Sequence, residues 1–170
     1  MMPVAMTQES SLERSPLGDL YVRHAPEGIR LAFLLTGDRA LAEDLVQEAF
    51  ARLVGRLRHL RDTGAFGAYL RRTIVNLSTS HLRRRRVERA YLERIATAPE
   101  TNANEELDAT MHDALLRLPE RQRAAIVLRF YEDLSDVQTA EALRCSRGTV
   151  RSLVSRGMTT LRSELEGVSR

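Results

Sequence analysis

The chain has 170 residues, of which 43% are apolar and 5% aromatic, and its 26 basic residues are all Arg, giving a net charge of +3 with 23 acids. This length allows one domain or two small ones, and the apolar fraction excludes wholesale disorder. The single cysteine, Cys145, excludes an internal disulfide and a multi-cysteine zinc site. No signal-peptide pattern and no apolar run of about eighteen residues occurs, so we expect a cytoplasmic protein without membrane insertion.

Three amphipathic helices are predicted in the first part of the chain. Residues 1–16 are polar and aperiodic, which predicts a disordered N-terminal extension. A helix is predicted from Leu17 to Thr36, interrupted at Pro26, and Asp38 suits the N-cap of a second helix. The second helix and a third, beginning near Ala68, have these residues on their inward faces: Leu41, Leu45, Val46, Ala49, Phe50, Leu53, Leu57, Leu60, Leu70, Ile74, Val75 and Leu77. Three helices of this length predict a small bundle.

A second helical module is predicted beyond an aperiodic stretch at 96–105, ATAPETNANE, which has the composition of a linker. Pro119 suits the first turn of a helix. Ser135 and Gln138 have the spacing of a capping box, and Ser146 can cap the last helix. The apolar residues of this module are Leu107, Met111, Leu115, Leu118, Ala125, Ile126, Val127, Leu128, Phe130, Ala140, Leu143, Val150, Val154, Met158 and Leu161. The pattern predicts helices throughout and no strand.

The last two predicted helices have the proportions of a helix-turn-helix: a short helix, the turn RCS and a longer helix. Arg144 stands where such turns usually have Gly, and a left-handed backbone there would cost roughly 1 kcal/mol. With Val150 and Val154 inward, the outward side of the longer helix has these polar residues: Arg147, Thr149, Arg151, Ser152, Ser155 and Arg156. Arg and Ser can bond guanine or phosphate in a major groove, so this face predicts DNA binding. An ordinary helical hairpin with a solvated basic face is the alternative.

Charge is distributed unevenly along the chain. Residues 71–94 contain eight Arg and two Glu, a local charge of +6, whereas residues 98–120 contain six acids and one Arg, a local charge of −5. The helix that leads into the basic segment offers these groups for stacking on bases or contacting phosphates: Tyr69, Arg72, Asn76, Thr79, Ser80 and His81. Such a surface suits single-stranded or opened DNA. A helix end kept soluble by its charge is the alternative.

The segment AEDLVQEAFARL has an acidic outer side. Four of its residues form this acidic patch: Glu43, Asp44, Gln47 and Glu48. An acidic patch repels DNA, so a partner for it would be a protein. A solvated helix face without a partner is the alternative.

Four segments in one order along the chain carry a resemblance to a known family. They are LLTGDRALAEDLVQEAFARL, AYLRRTIVNLSTSHLRRRR, LLRLPERQRAAIVLRFYEDLS and the helix-turn-helix. Together they resemble an extracytoplasmic-function (ECF) sigma factor of the sigma-70 family, the dissociable promoter-specificity subunit of RNA polymerase. The resemblance covers about Leu17 to Glu166. It implies an all-α protein of two small helical domains joined by a flexible linker: sigma region two, a three- or four-helix bundle at 17–95, and sigma region four at 106–167.

The resemblance also implies partners and residue roles. The acidic patch would bind the coiled coil of the polymerase β′ subunit, and region four would rest against the flap of the β subunit. The helix-turn-helix face would read the −35 promoter element. The residues implied at the opened −10 element are Phe66, Tyr69, Arg72, Asn76, Ser80, His81, Arg83 and Arg84, together with the loop from residue 61. No cofactor, metal or catalytic residue is expected, and the sequence leaves open whether an anti-sigma factor binds.

Two other functions compete with this interpretation. A stand-alone helix-turn-helix regulator would bind duplex DNA without polymerase, but it leaves the acidic patch and the separate basic helix unexplained. An enzyme is disfavoured because the four histidines are scattered, Cys145 falls in the predicted turn, and no glycine-rich phosphate loop follows a strand.

Overall fold

The computed structural model describes residues 16–57, 63–92 and 109–168, and within these ranges the chain is helical and has no strand. The helices are α1 (Pro16–Thr36), α2 (Arg39–Leu57), α3 (Phe66–Leu92), α4 (Ala109–Arg117), α5 (Glu120–Ile126), α6 (Asp136–Leu143) and α7 (Arg147–Val168). A short 3-10 turn at Thr63–Ala65 precedes α3, and a π-helical turn at Val127–Tyr131 continues α5. Residues 1–15 of the predicted extension and the predicted linker at 96–105 lie outside the described residues, whereas Pro16, predicted as the end of the extension, is the first residue of α1.

Helices α1, α2 and α3 form the predicted bundle, which we call the first module. The inward faces of α2 and α3 are those predicted, except that Leu41 is only half-buried and that the side chains of Leu57 and Leu60 lie outside the described part. The expected interruption at Pro26 is wrong, because α1 runs through this residue. Proline removes one backbone donor, to the carbonyl of Val22, and both residues lie on the exposed side of α1, where water can satisfy that carbonyl.

The turn between α1 and α2 ends one helix and starts the next. Gly37 has a φ of 74°, a conformation that glycine adopts without the strain of a Cβ atom. Asp38 then accepts a hydrogen bond from the backbone N–H of Leu41 through Oδ1 at 3.0 Å, which confirms it as the N-cap of α2. A Cβ at Gly37 would also lie 2.6 Å from Cδ1 of Leu116 in α4, so the turn fits closely against the second part of the chain.

Helices α4 to α7 form the second module. Leu115, Leu118, Ile126 and Leu161 pack together in its core. Pro119 is the N-cap residue of α5 rather than part of its first turn. In the following π-helical turn Phe130 is 61% exposed, although the sequence places it among the apolar residues of the module.

The inward face of α7 differs from the prediction at one position. Val150 and Leu161 are buried as expected, but Met158 lies at the surface and Gly157 faces inward in its place. A Cβ at Gly157 would lie 2.6 Å from Cδ1 of Ile126, so the glycine lets α7 approach α5 closely. The two successive four-residue steps from Val150 to Met158 drift off the buried face, because a helix has about 3.6 residues per turn, and Val154 between them is half-buried.

The two modules pack against each other and share one core. Buried residues of the second module, Ala124, Val127, Leu128, Leu134 and Ala142, belong to the same cluster as the bundle residues of α1, α2 and α3. An ion pair also joins the modules, between Nε of Arg71 and Oε2 of Glu132 at 2.8 Å. Neither module therefore buries its whole apolar surface alone.

A buried arginine joins the ends of two helices at this interface. Arg123 of α5 is 6% exposed and donates to the backbone carbonyl of Leu35 at the end of α1. Its Nη2 also donates to the carbonyls of Leu116 and Leu118, at 2.7 and 3.0 Å. These carbonyls lack helical partners because they lie at helix C-termini, where a cation is also favourable.

A histidine lies beside this arginine in the same interface. The His112 ring is buried against the Phe33 ring of α1, with ring centroids 4.6 Å apart. Burial lowers the pKa of His112 below its ordinary value of 6.5 and Arg123 lowers it further, while a hydrogen bond to the Phe33 backbone and the charge of Asp113 oppose this. His112 is therefore neutral in the packed molecule at neutral pH.

We expect acidification to destabilise the folded chain through His112. The unfolded chain binds this proton more readily than the folded chain, so the free energy of unfolding is highest above pH 6.5 and decreases as the pH falls through that value. Thermal denaturation from about pH 8 to about pH 5 measures the effect, and His112→Gln should flatten the profile. A variant that keeps the whole pH dependence would contradict this role of His112, and His81, whose pKa is lowered by burial and by Arg85, would be the next residue to substitute.

Candidate nucleic-acid interface

Helices α6 and α7 form the predicted helix-turn-helix. At the start of α6 the Ser135 hydroxyl accepts from the backbone of Gln138 at 3.2 Å, and the Gln138 side chain accepts from the backbone of Ser135 at 2.9 Å. This reciprocal pair confirms the capping box. Arg144 ends α6 with φ 50° and ψ 52°, the left-handed conformation expected there. Ser146 accepts from the backbone of Thr149 at 3.1 Å and caps α7.

The structure exposes one polar face of α7 along its first three turns. All six residues predicted for the −35 element are exposed: Arg147, Thr149, Arg151, Ser152, Ser155 and Arg156. Thr149 is partly engaged, because its hydroxyl lies 2.9 Å from the Ser146 hydroxyl within the cap. The others are exposed on the outward side of α7, away from α5, which is the geometry that a groove reader needs.

One acidic side chain lies directly beside this basic face. Asp136, the first residue of α6, has Oδ2 at 3.0 Å from Nε of Arg151 and Oδ1 at 2.9 Å from Nε of Arg129. Neither Asp136 nor Arg129 is among the residues that the sequence predicts for this surface. The separation of fifteen residues between Asp136 and Arg151 follows no helical repeat, and only the closed turn brings them together.

The residues predicted for the −10 element lie along α3, with one exception. Tyr69, Ser80, Arg83 and Arg84 are exposed, and Arg72, Asn76 and His81 are partly buried. Phe66 is the exception: it is 0% exposed, and its ring packs against the rings of His24 and Phe50. The prediction that Phe66 contacts a base is therefore wrong, because this side chain belongs to the core of the first module. The adjoining residues 58–62 lie outside the described part.

The basic end of α3 is open to solvent. Arg83 and Arg84 have no ion pair with any described residue, and Arg86 lies 3.6 Å from Glu120 of α5 as an exposed, weakly held pair. Unpaired guanidinium groups keep their full charge for phosphates, and each phosphate they neutralise releases a counterion. This helix end therefore suits a nucleic-acid backbone.

In the packed molecule α6 lies against the same side of α3. Tyr69 and Arg72 line a groove together with Gln138 and Glu141, and Arg72 also lines the open groove beside Arg144 at the helix-turn-helix turn. The two candidate DNA-contacting surfaces are thus neighbours. Part of the α3 surface is covered by the second module.

The acidic patch on α2 is exposed as predicted. Glu43 pairs with Arg39 at 3.3 Å and Glu48 pairs with Arg52 at 2.5 Å, both one helical turn apart. Asp44 and Gln47 point outward between these pairs and have no partner among the described residues. The patch therefore presents one unpaired carboxylate, that of Asp44, to a partner.

Two other kinds of functional feature are absent from the described ranges. No group of His, Cys, Asp and Glu side chains there is arranged to hold a metal ion. None of the helices seen in those ranges is both long enough and apolar enough to cross a membrane.

Comparison with known proteins agrees with the two-module architecture. The family described as Sigma-70 region 2 matches residues 20–88, and the family described as Sigma-70, region 4 matches residues 109–161. The RNA polymerase sigma-E factor of Streptomyces coelicolor is 38% identical over 148 residues, 85% of this chain and 84% of that protein. The ECF RNA polymerase sigma factor SigM of Mycobacterium tuberculosis is 31% identical over 150 residues, 88% of this chain and 76% of that protein.

A solved structure shares the fold at similar coverage. The sigma factor RpoE, in its complex with the anti-sigma factor NepR from Bartonella quintana, superposes with a TM-score of 0.70 and 25% identity over 87% of this chain and 95% of that chain. The family matches cover well over half of the chain, and the curated relatives span most of it. The chain therefore belongs to the sigma-70 family and, within it, to the ECF sigma factors, which recognise promoters for RNA polymerase.

Proposed function

We propose that this sigma factor divides its work among three surfaces: the α7 face reads the −35 element, the α3 face holds the opened −10 element, and the acidic patch on α2 binds core polymerase. The observation that supports this most is the separation of charge. The two basic faces and the one unpaired carboxylate at Asp44 occupy different helices, so DNA and polymerase need not compete for one surface.

At the −35 element, the exposed arginines and serines of α7 would enter the major groove. Arg151 and Arg156 can fork onto guanine, whereas Ser152 and Ser155 can bond either a base or a phosphate. Ser146 and Thr149 lie at the N-terminus of the helix, where free backbone N–H groups and the helix dipole favour a phosphate. The flap of the β subunit is the proposed support for this module.

At the −10 element, the exposed part of α3 would bind DNA whose strands have separated. Tyr69 offers a ring for stacking, Asn76 offers an amide for base edges, and Arg83 and Arg84 offer charge for the backbone. Separating bases costs a few kcal/mol per unstacked step, which a factor without ATP must offset by binding the exposed strand. The proposed role of the chain is therefore binding, without catalysis.

Contact with both elements requires the modules to come apart. The two elements are about 25 base pairs apart, roughly 85 Å of duplex at 3.4 Å per pair. A compact chain of this length is about 40 Å across. Promoter binding would thus break the Arg71–Glu132 pair and uncover the parts of Tyr69 and Arg72 that face α6. Because the sigma factor RpoE, which shares this fold, is solved with an anti-sigma factor, we include such a protein among the partners that would select between the packed and the separated forms.

Charge reversal at Asp44 tests the polymerase surface. Asp44→Arg is expected to weaken binding to core polymerase about tenfold or more, because like charges brought together in an interface cost several kcal/mol. Binding of sigma-free core to the labelled chain measures the affinity. Asp19→Arg, the same reversal at an exposed acid in the first turn of α1, is the matched control and should bind normally. Equal affinities of the two variants would remove the acidic patch from the interface.

A further inference from the structure

The carboxylate of Asp136 is held between two arginines that belong to different elements. Arg129 lies in the π-helical turn, Asp136 is the first residue of α6, and Arg151 lies in the second turn of α7. The side chains of Arg129 and Asp136 are 29% and 28% exposed, whereas that of Arg151 is 72% exposed. The three residues thus form a line from the inside of the second module to its DNA-facing surface.

The inner part of this line is fixed. Arg129 donates from Nη1 to the backbone carbonyl of Leu134, and its Nε forms an ion pair with Oδ1 of Asp136 at 2.9 Å, so two contacts hold its guanidinium. Asp136 also lies in the first turn of α6, where the helix dipole favours a negative charge. The carboxylate therefore has one orientation, with Oδ2 directed at Arg151.

The outer part of the line leaves DNA-binding atoms free. Asp136 accepts a hydrogen bond from Nε of Arg151, and neither terminal nitrogen of that guanidinium has a hydrogen bond to a described residue. Two terminal N–H groups on one planar fork match the O6 and N7 acceptors of guanine. An unsupported arginine would have to lose the freedom of a long side chain when it binds, and a prepositioned one loses less.

We propose that Asp136 is a positioning residue for promoter readout: it holds the guanidinium of Arg151 in the direction that selects one guanine of the −35 element. This rests on the proposed function, in which α7 reads that element. The carboxylate repels the phosphate backbone, so it lowers affinity for DNA in general while it raises discrimination between bases.

The test uses polymerase holoenzyme formed with the chain and a promoter identified by mapping transcript starts after overexpression. Promoter variants change each −35 base pair in turn, and Arg151→Ala first identifies the pair at which discrimination is lost. Asp136→Asn keeps the shape and removes the charge, and we expect discrimination at that same pair to fall about two- to tenfold. Binding to unrelated DNA should stay equal or tighten, which the loss of a merely structural residue would not produce.

Two further comparisons separate the possible outcomes. In the Arg151→Ala background Asp136→Asn should have no further effect on discrimination. Asp133→Asn is the matched control, because it makes the same charge change at an exposed residue whose φ of 51° suits asparagine, and it should leave every position unchanged. The proposal for Asp136 would be overturned, without affecting the proposed function, if Asp136→Asn left discrimination unchanged or reduced it equally at every position. Effects that add fully to those of Arg151→Ala would overturn it in the same way. If Arg151→Ala changes no single position, the −35 assignment of Arg151 is overturned as well.

Discussion

Arg151→Ala should reduce use of the cognate promoter by about 5- to 150-fold, the range set by one good bidentate contact to a base. The side chain projects from the exposed face of α7 and buries little surface, so its removal should leave the fold intact. Run-off transcription by reconstituted holoenzyme measures promoter use. Affinity for core polymerase, measured separately with the same protein, should stay unchanged.

Arg162→Ala provides the matched control for this experiment. Arg162 is exposed on the same helix, eleven residues further along, which is three turns and about 16 Å toward the C-terminus on nearly the same face. Arg162→Ala removes the same charge, but Arg162 is not one of the six residues of the proposed −35 surface, so promoter use should change little. Equal losses for the two variants would show that α7 contributes only general positive charge. Loss of core binding by Arg151→Ala would contradict the separation of the two surfaces.

Arg123→Met should lower the free energy of unfolding by about 3 kcal/mol or more, because it leaves buried carbonyl groups without a donor. The arginine donates to Leu35 in the first module and to Leu116 and Leu118 in the second, so its loss acts on both. In a domain of this size that change corresponds to a melting temperature lower by about 10 °C. Thermal denaturation followed by circular dichroism gives the value.

Arg121→Met is the control for this prediction. Arg121 lies two residues earlier in α5 and is exposed, so the same substitution removes a solvated charge and should change the melting temperature by very little. Similar melting temperatures for the two variants would mean that the carbonyl groups find other donors and that Arg123 does not stabilise the packing of the modules.

The sequence predicts most of the secondary structure because its local signals agree with each other. Asp38 begins α2, the Ser135–Gln138 box begins α6 and Ser146 begins α7, each by a bond confined to one turn. The left-handed Arg144 is foreseen in the same way, from its place in the turn. Local rules suffice wherever the deciding contact is local.

The wrong predictions concern residues whose environment is decided by contacts with distant parts of the chain. Proline usually breaks a helix, but α1 continues through Pro26, and its neighbours Ala25 and Ile29 pack against the core of the first module. Phe66 follows an irregular stretch and resembles a loop aromatic, and only its neighbours His24 and Phe50 show that it is buried. Gly157 has no apolar side chain to signal an inward face, so its close fit against Ile126 is visible only when both helices are placed.

The sequence predicts the exposed residues of the candidate site but not the residues that support them. The Arg, Ser and Thr residues on the outward side of α7 can be identified from their helical periodicity. Asp136 and Arg129 cannot be identified in this way, because their contacts depend on how the π-helical turn, α6 and α7 are placed relative to one another. From the sequence alone Arg123 is indistinguishable from a surface arginine, because the chain has 26 basic residues, yet it is buried between the modules. Nor does the sequence indicate that the two modules share a core.

Transcription from a mapped promoter by sigma-free core polymerase, with and without the purified chain, tests the central claim most directly. That claim is a division of labour, with two basic helical surfaces on one promoter and an acidic surface on the polymerase. We expect defined start sites only when the chain is present, and loss of those starts with Asp44→Arg. No start-site selection by the chain, combined with tight sequence-specific binding of the chain alone to closed duplex, would contradict it.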